Sequence, residues 1–204
     1  DILLISNLDE ICFSVDGGTK EDYERVRVGL KWDTVYKNIQ YFMIENIKLG
    51  KKIKTHAFIV TQQTNKNSIE QFIQKFSSMG IDDVGGSGVQ NIGGHIDSNS
   101  MKLPAQYSKG NIKAACWRIF NDLDIIADGN IPICCQDVQG DLIIGNIFEN
   151  NLIGFWQNNN FLNNIRLKHI LAKQEDIPFC NKCDYMTGFA DLPIYWPGGK
   201  NENI

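Results

Sequence analysis

The sequence predicts an α/β protein built as two modules. The first has parallel strands joined by helices, and the second is a small β-hairpin followed by helix. Three observations carry this expectation. Short apolar runs alternate with helical patterns over the first hundred residues. A Gly-rich stretch then breaks the pattern. Five of the six cysteines follow that break, with only Cys12 before it.

The first module is read in order. Ile11–Val15 is a short apolar run between Asp9-Glu10 and Gly17-Gly18, which suits a buried strand. Thr19 opens a helix, with Asp22 in the place of a capping-box acid. Asp33 is expected to cap a longer helix with Val35, Ile39, Phe42, Met43 and Ile47 on its apolar face and Gly50 just past its end. The next strand is Ile53–Val60. Ser68 and Gln71 form a capping box for a helix that carries Ile69, Phe72, Ile73 and Phe76 and stops at Gly80. A third strand begins at Ile81–Val84. Strand–helix–strand–helix–strand implies parallel strands, and three of them alone leave an edge, so the module reads as part of a larger sheet or barrel.

The stretch from Gly85 to Gly110 reads as loop or linker. The module boundary is drawn at 112/113. Leu123–Ala127 and Ile131–Cys135 flank Asp128-Gly129-Asn130, a hairpin signal. A second turn is expected at Gln139-Gly140-Asp141. Helix follows from Leu152 to Ile170, interrupted by the polar run Gln157–Asn160. Cys180-x2-Cys183 lies in what reads as a loop-like tail; residues 191–204 are read as a terminal tail, expected to be disordered after Trp196.

The 204 residues are 43% hydrophobic and 22% charged, within ordinary globular usage. No apolar run approaches the roughly 18 residues of a membrane span. The net charge of −4 argues against a basic nucleic-acid-binding face. Lys+Arg and Asp+Glu balance at 13 each over 1–112, so the whole charge falls in 113–204. The chain begins at Asp1 with no leader pattern, and is read as part of a longer protein.

Cys180 and Cys183 can place two thiolates on one metal centre from a tight turn. Cys116 and Cys134 are the candidates to complete a set of four. Strand parity selects Cys134 over Cys135, because Cys135 shares a face with Ile131 and Ile133. Cys12 and Cys135 are assigned to packing. Nothing signals secretion, which disfavours disulfides. Soft thiolates in a tetrahedral set suit zinc or an iron–sulfur cluster, and spacing does not decide between them.

The pattern Cys116-x12-Gly129-x4-Cys134, with Cys180-x2-Cys183 downstream, resembles the SPASM domain of radical SAM enzymes in its shortened, one-cluster "twitch" form. Asp128-Gly129, Cys134-Cys135-x-Asp137, Gly145-Asn146-Ile147, Phe155-Trp156 and Ile165-Arg166 are similar too. In the first module, Phe13-Ser14-Val15-Asp16-Gly17, Tyr23-Glu24-Arg25-Val26-Arg27-x-Gly29 and Trp32-Asp33-x-Val35 resemble the later part of a radical SAM partial (β/α)6 barrel. The family's CxxxCxxC loop is absent from this chain. The match begins near the fourth strand, as if three strand–helix units of about 30 residues each lay upstream.

The resemblance implies an auxiliary 4Fe-4S cluster on Cys116, Cys134, Cys180 and Cys183. It implies S-adenosyl-L-methionine and a second 4Fe-4S cluster in the complete parent. Ser14 and Arg27 are its candidates for contact with S-adenosylmethionine, Arg27 being preferred to Arg25. The competing reading of both arginines is a solvated helix face. Asp137 is a candidate proton acceptor, against the reading of an acidic turn residue. The implied parent is an oxidoreductase or maturase acting on a peptide or a small, carbohydrate-like molecule, with flavodoxin or ferredoxin as electron donor, in an anaerobic cytoplasm. The chain alone would not perform the reaction. The alternative is a non-catalytic binding module stabilised by zinc or an iron–sulfur centre.

Overall fold

The structure, a computed structural model, describes residues 2–103, 115–149 and 151–184. The chain divides into two compact units. The first contains the described residues 2–89 and 99–103, and the second contains 90–98 and 115–184. The module boundary at 112/113 and the terminal tail 191–204 lie outside the described residues.

In the first unit the short helix α1 (Ile2–Ile5) precedes strand β1 (Glu10–Ser14). Helices α2 (Lys20–Val26) and α3 (Trp32–Lys48) connect β1 to β2 (Lys54–Thr61), and α4 (Ile69–Ser78) connects β2 to β3 (Asp83–Gly88). All strand pairs are parallel, in the order β1-β2-β3, with Cys12 opposite His56 and Phe58 opposite Gly85. The alternating mixed α/β pattern read from the sequence is the observed one. Central strand β2 is buried along most of its length, as a parallel strand covered on both faces should be.

Helix α3 buries Trp32, Ile39, Phe42, Met43 and Asn46, a stripe at helical spacing. Trp32 stacks on Tyr36 at 5.2 Å and meets Tyr23 and Phe76 edge-on, so one aromatic cluster joins α2, α3 and α4. Asn46 is 1% exposed and acts as a backbone clamp. Its Nδ2 donates to Ile53 O at 2.7 Å, and its Oδ1 accepts from Ile53 N at 3.0 Å. That pair fixes the entry to β2 against α3.

Several local expectations are corrected. Thr19 does cap α2 through Asp22 N–H, and Gly50 (φ 77°) and Gly80 (φ 84°) do sit just past α3 and α4. Asp33 is no cap, because α3 starts one residue earlier and Asp33 pairs with Lys20 instead. The Ser68 capping box does not form. A 3-10 turn, Lys66–Ser68, leads into α4, and the Ser68 hydroxyl accepts from Gly18 N–H and donates to Asn65 O. Among the described residues strand β1 is an edge, with Glu10, Cys12 and Ser14 exposed, so Cys12 shares the polar face and is not core.

The Gly-rich text read as linker begins as strand. Gly85, Gly86 and Gly88 belong to β3, and a Cβ on Gly86 would run into Ile59 O of β2. Glycine here permits close backbone approach rather than breaking the strand. The following segment packs into the second unit. Asn91 Nδ2 donates to Lys182 O at 2.6 Å, Asn91 N–H donates to Asp184, and Ser98 Oγ donates to Asp184 at 2.7 Å. Gly93 (φ 64°) lies against the Phe179 ring, where a Cβ would overlap it.

The second unit contains α5 (Arg118–Asn121), a hairpin of β4 (Asn130–Pro132) and β5 (Ile143–Asn146), and helices α6 (Leu152–Asn158), α7 (Asn160–Ile170) and α8 (Pro178–Lys182). Hairpin and helices both exist, but the strand partner differs from the one read. Asp128-Gly129 does turn, with Gly129 at φ 83° and its N–H on Ile126 O. Asn130–Pro132 then pairs antiparallel with Ile143–Asn146 rather than with 123–127. The polar interruption is the α6–α7 junction, where Asn159 caps α7 by accepting from Leu162 N–H at 2.8 Å. Ile119, Ile131, Ile133, Ile144, Phe155, Leu162, Ile165, Ile177 and Phe179 form this unit's own core.

Candidate metal centre

The second unit holds a pocket of roughly 370 Å³, counting its open mouth. Cys116, Cys134, Cys180 and Cys183 all line it. Each comes from a different local feature. Cys116 precedes α5, Cys134 follows β4, Cys180 lies within α8 and Cys183 ends that helix as its C-cap. The CxxC pair thus sits on a short helical turn started by Pro178, not in an irregular tail. Residues Ile119, Ile133 and Phe179 give the pocket an apolar wall.

The choice of Cys134 over Cys135 agrees with this arrangement, but for a different reason. The β4–β5 register breaks between Ile131 and Pro132, the strand ends at Pro132, and residues 131–133 are all buried. Alternation therefore does not extend to the cysteines. Cys135 does not line the pocket. It lies near Arg118, Asp122 and Asp124, and its backbone N–H reaches Asp124.

Burial is the main electrostatic influence on the thiols. It pushes Cys134 up to about 12, with the neighbouring Cys135, Cys180 and Cys183 adding to the rise. It pushes Cys180 up to about 12 as well, helped by Cys183 and Cys116. Cys116 is also raised by burial, partly offset by the N–H groups of Arg118 and Ile119. Cys134 is thus near Cys180 and Cys183, and Cys180 is near Cys183 and Cys116. Four thiolates gathered in an apolar pocket repel one another unless a cation sits among them. A metal or iron–sulfur centre supplies that charge and deprotonates its ligands. Among the described residues, no three Cys, His, Asp or Glu side chains already converge as a ready-made metal site. The donor set fits a soft centre, and ligation requires the thiols to close in.

Asp137 is 1% exposed, but both carboxylate oxygens are taken. One accepts from Asp141 N–H at 2.7 Å and the other from Leu142 N–H at 2.9 Å. This is the acidic turn residue of the competing reading, and it holds the loop between β4 and β5. Ser14 and Arg27 belong to the first unit and do come together. Arg27 Nη2 donates to Ser14 Oγ at 2.9 Å and pairs with Asp16 at 2.7 Å.

Sequence reasoning passed over three residues. Asp16, 5% exposed, holds Arg27 with one oxygen and accepts Val60 N–H at 2.8 Å with the other. It stood in the quoted Ser14-x-Asp16-Gly17 run without a role. Arg166 donates to Ile119 O and Trp156 O at 2.9 and 2.7 Å and stacks on the Trp156 ring, tying α5, α6 and α7 together. His169 is 2% exposed and lines the pocket. Its signal was available, since Leu162, Ile165 and His169 follow one helical stripe, and a histidine there interrupts an apolar face.

Comparison with known proteins bears on this unit. Residues 116–184 match the SPASM family model, described as an iron-sulfur cluster-binding domain. The match starts at the first of the four pocket cysteines and includes the last. An uncharacterized protein of Treponema pallidum (strain Nichols) is 32% identical over 69 residues, covering 34% of this chain. The matched stretch spans 18% of that protein's length. Among solved structures, the crystal structure of BtrN in complex with AdoMet and 2-DOIA is similar at 13% identity and a TM-score of 0.40, covering 92% of this chain and 97% of that one.

Proposed function

We propose that residues 116–184 hold one auxiliary 4Fe-4S cluster through Cys116, Cys134, Cys180 and Cys183, and that the chain is the later part of a radical SAM enzyme. The observation that carries the reading is the gathering of these four cysteines, remote in sequence, around one pocket of one unit. The SPASM match over the same residues supports it. The three parallel strands with helical crossovers are consistent with part of a (β/α)6 barrel.

Ser14 and Arg27 are proposed to contact S-adenosyl-L-methionine. Ser14 is the last residue of β1, and ligands of open parallel sheets bind beyond the carboxyl ends of strands. Asp16 anchors one side of the Arg27 guanidinium, which leaves further donors for a ligand carboxylate. The complete parent would use a second 4Fe-4S cluster to cleave S-adenosylmethionine, and would oxidise or modify a peptide or a small, carbohydrate-like substrate. Flavodoxin or ferredoxin would supply electrons in an anaerobic cytoplasm. No described helix is long and apolar enough to cross a membrane.

A bound 4Fe-4S cluster supplies one-electron chemistry at the pocket. The chain's own part is to hold the cluster with four thiolates and to exclude water with Ile119, Ile133 and Phe179. Anaerobic reconstitution with iron and sulfide, followed by iron and sulfide quantitation and visible spectroscopy, tests the assignment. We expect one 4Fe-4S cluster per chain, with brown colour bleached by dithionite. A colourless protein binding one zinc per chain would favour the metal-stabilised binding module instead.

A further inference from the structure

The His169 imidazole is unusual among the pocket residues because one of its nitrogens is committed and the other is not. It sits in the last turn of α7, 2% exposed. Nδ1 accepts the backbone N–H of Cys116 at 3.3 Å. A neutral imidazole that accepts at Nδ1 carries its hydrogen on Nε2. Nε2 is buried and has no hydrogen-bond partner among the described residues. An orphaned buried donor is costly, so a partner for Nε2 is expected beside it. His169 lines the same pocket as the four thiols.

Resting on the cluster reading above, we propose that His169 donates its Nε2–H to a sulfur of the bound cluster, either a cysteinate or an inorganic sulfide, and thereby raises the cluster's reduction potential. Reduction adds one electron whose charge spreads over the sulfurs, so a fixed N–H dipole stabilises the reduced form more than the oxidised one. The same ring holds the Cys116 backbone, so His169 couples the position of a ligand to the electronics of the centre. It is a donor to the cluster and not a fifth ligand, because an imidazole that accepts at Nδ1 carries its hydrogen on Nε2 and has no lone pair there.

The test uses the whole 204-residue chain, reconstituted anaerobically and labelled with 15N-histidine. The reduced wild-type protein is expected to show 15N coupling to the cluster spin by pulsed EPR. The coupling should survive His95→Gln, whose side chain pairs with Asp141. In His169→Phe, loaded with the same iron content, the coupling should vanish and the midpoint in a dithionite titration should move to more negative potential. A loaded His169→Phe protein with the wild-type midpoint overturns the proposal. So does a loaded wild-type protein without 15N coupling, a result that stands even if the variant fails to fold. Iron content separates the two levels: a wild-type chain that takes up zinc but no iron refutes the cluster reading itself, and this proposal with it.

Discussion

Cysteine is the residue on which the proposed function turns, and position in the fold separates six chemically identical side chains. Four line the pocket, Cys135 lies outside it, and Cys12 is exposed on β1. Replacing Cys134 by Ser removes a soft ligand from the centre of the set. Reconstituted iron is expected to fall several-fold in Cys134→Ser and to stay at the wild-type level in Cys135→Ala, as measured by iron quantitation on the two proteins side by side. Equal loss in both would refute the assignment. Asn46 poses a stability question at the same scale. Asn46→Leu leaves Ile53 N–H and C=O unpaired in the core, at a cost of about 1–3 kcal/mol for each orphaned group at most. Urea unfolding should show that loss as a lower midpoint with an unchanged slope.

At the scale of elements, the glycines decide more than the apolar runs do. Gly18 follows β1, and a Cβ there would collide with the Ser68 carbonyl and the Phe72 N–H at the start of α4. The close approach lets Gly18 N–H bond the Ser68 hydroxyl and Gly18 O accept from Lys75. Gly18→Ala is therefore expected to destabilise the first unit by about 1–3 kcal/mol, the usual cost of overpacking. Gly29→Ala meets no neighbour, and its φ of 88° makes it a control for backbone strain alone. A thermal melt in which Gly18→Ala is no worse than Gly29→Ala would refute the packing argument. Elements were legible in the sequence where one local signal sufficed. Thr19, Gly50 and Gly80 mark helix ends through their own backbone neighbours. The Ser68 box and the 123–135 hairpin were misread because distant groups outbid the local ones. Gly18 claims the Ser68 hydroxyl, and β5 claims the β4 edge.

For the molecule as a whole, each unit has its own buried core, and the proposed cluster would tie only the second unit's stability to metal. Without metal, the fold of the second unit keeps Cys134 and Cys180 protonated, with thiol pKa values of about 12 against an ordinary value of 9.0. A thiol whose pKa is raised by folding stabilises the fold fully below pH 9.0. That contribution fades as pH climbs through 9.0 towards about 12. The metal-free chain should lose the second unit's structure selectively over that window. Near-ultraviolet circular dichroism of the Trp117 and Trp156 environments would follow it, and a flat profile from neutral pH to 12 would contradict the burial of the thiols. In the loaded chain the ligands are already thiolates, so the alkaline loss should be much smaller. Chelation at neutral pH should lower the second unit's melting temperature and leave the first unit's unchanged.

The sequence by itself determined the parallel α/β character of the first unit, the helix ends at Thr19, Gly50 and Gly80, and the Cys180-x2-Cys183 pair, because periodicity, local caps and close ligand spacing act over a few residues. Only the tertiary structure decided that Gly85–Gly88 is strand, that Cys12 is exposed, that Asp137 holds a turn, and that His169 reaches the cysteine pocket. Each of these depends on what lies opposite a residue in space. That is set by the packing of segments far apart in the chain, which no local pattern records.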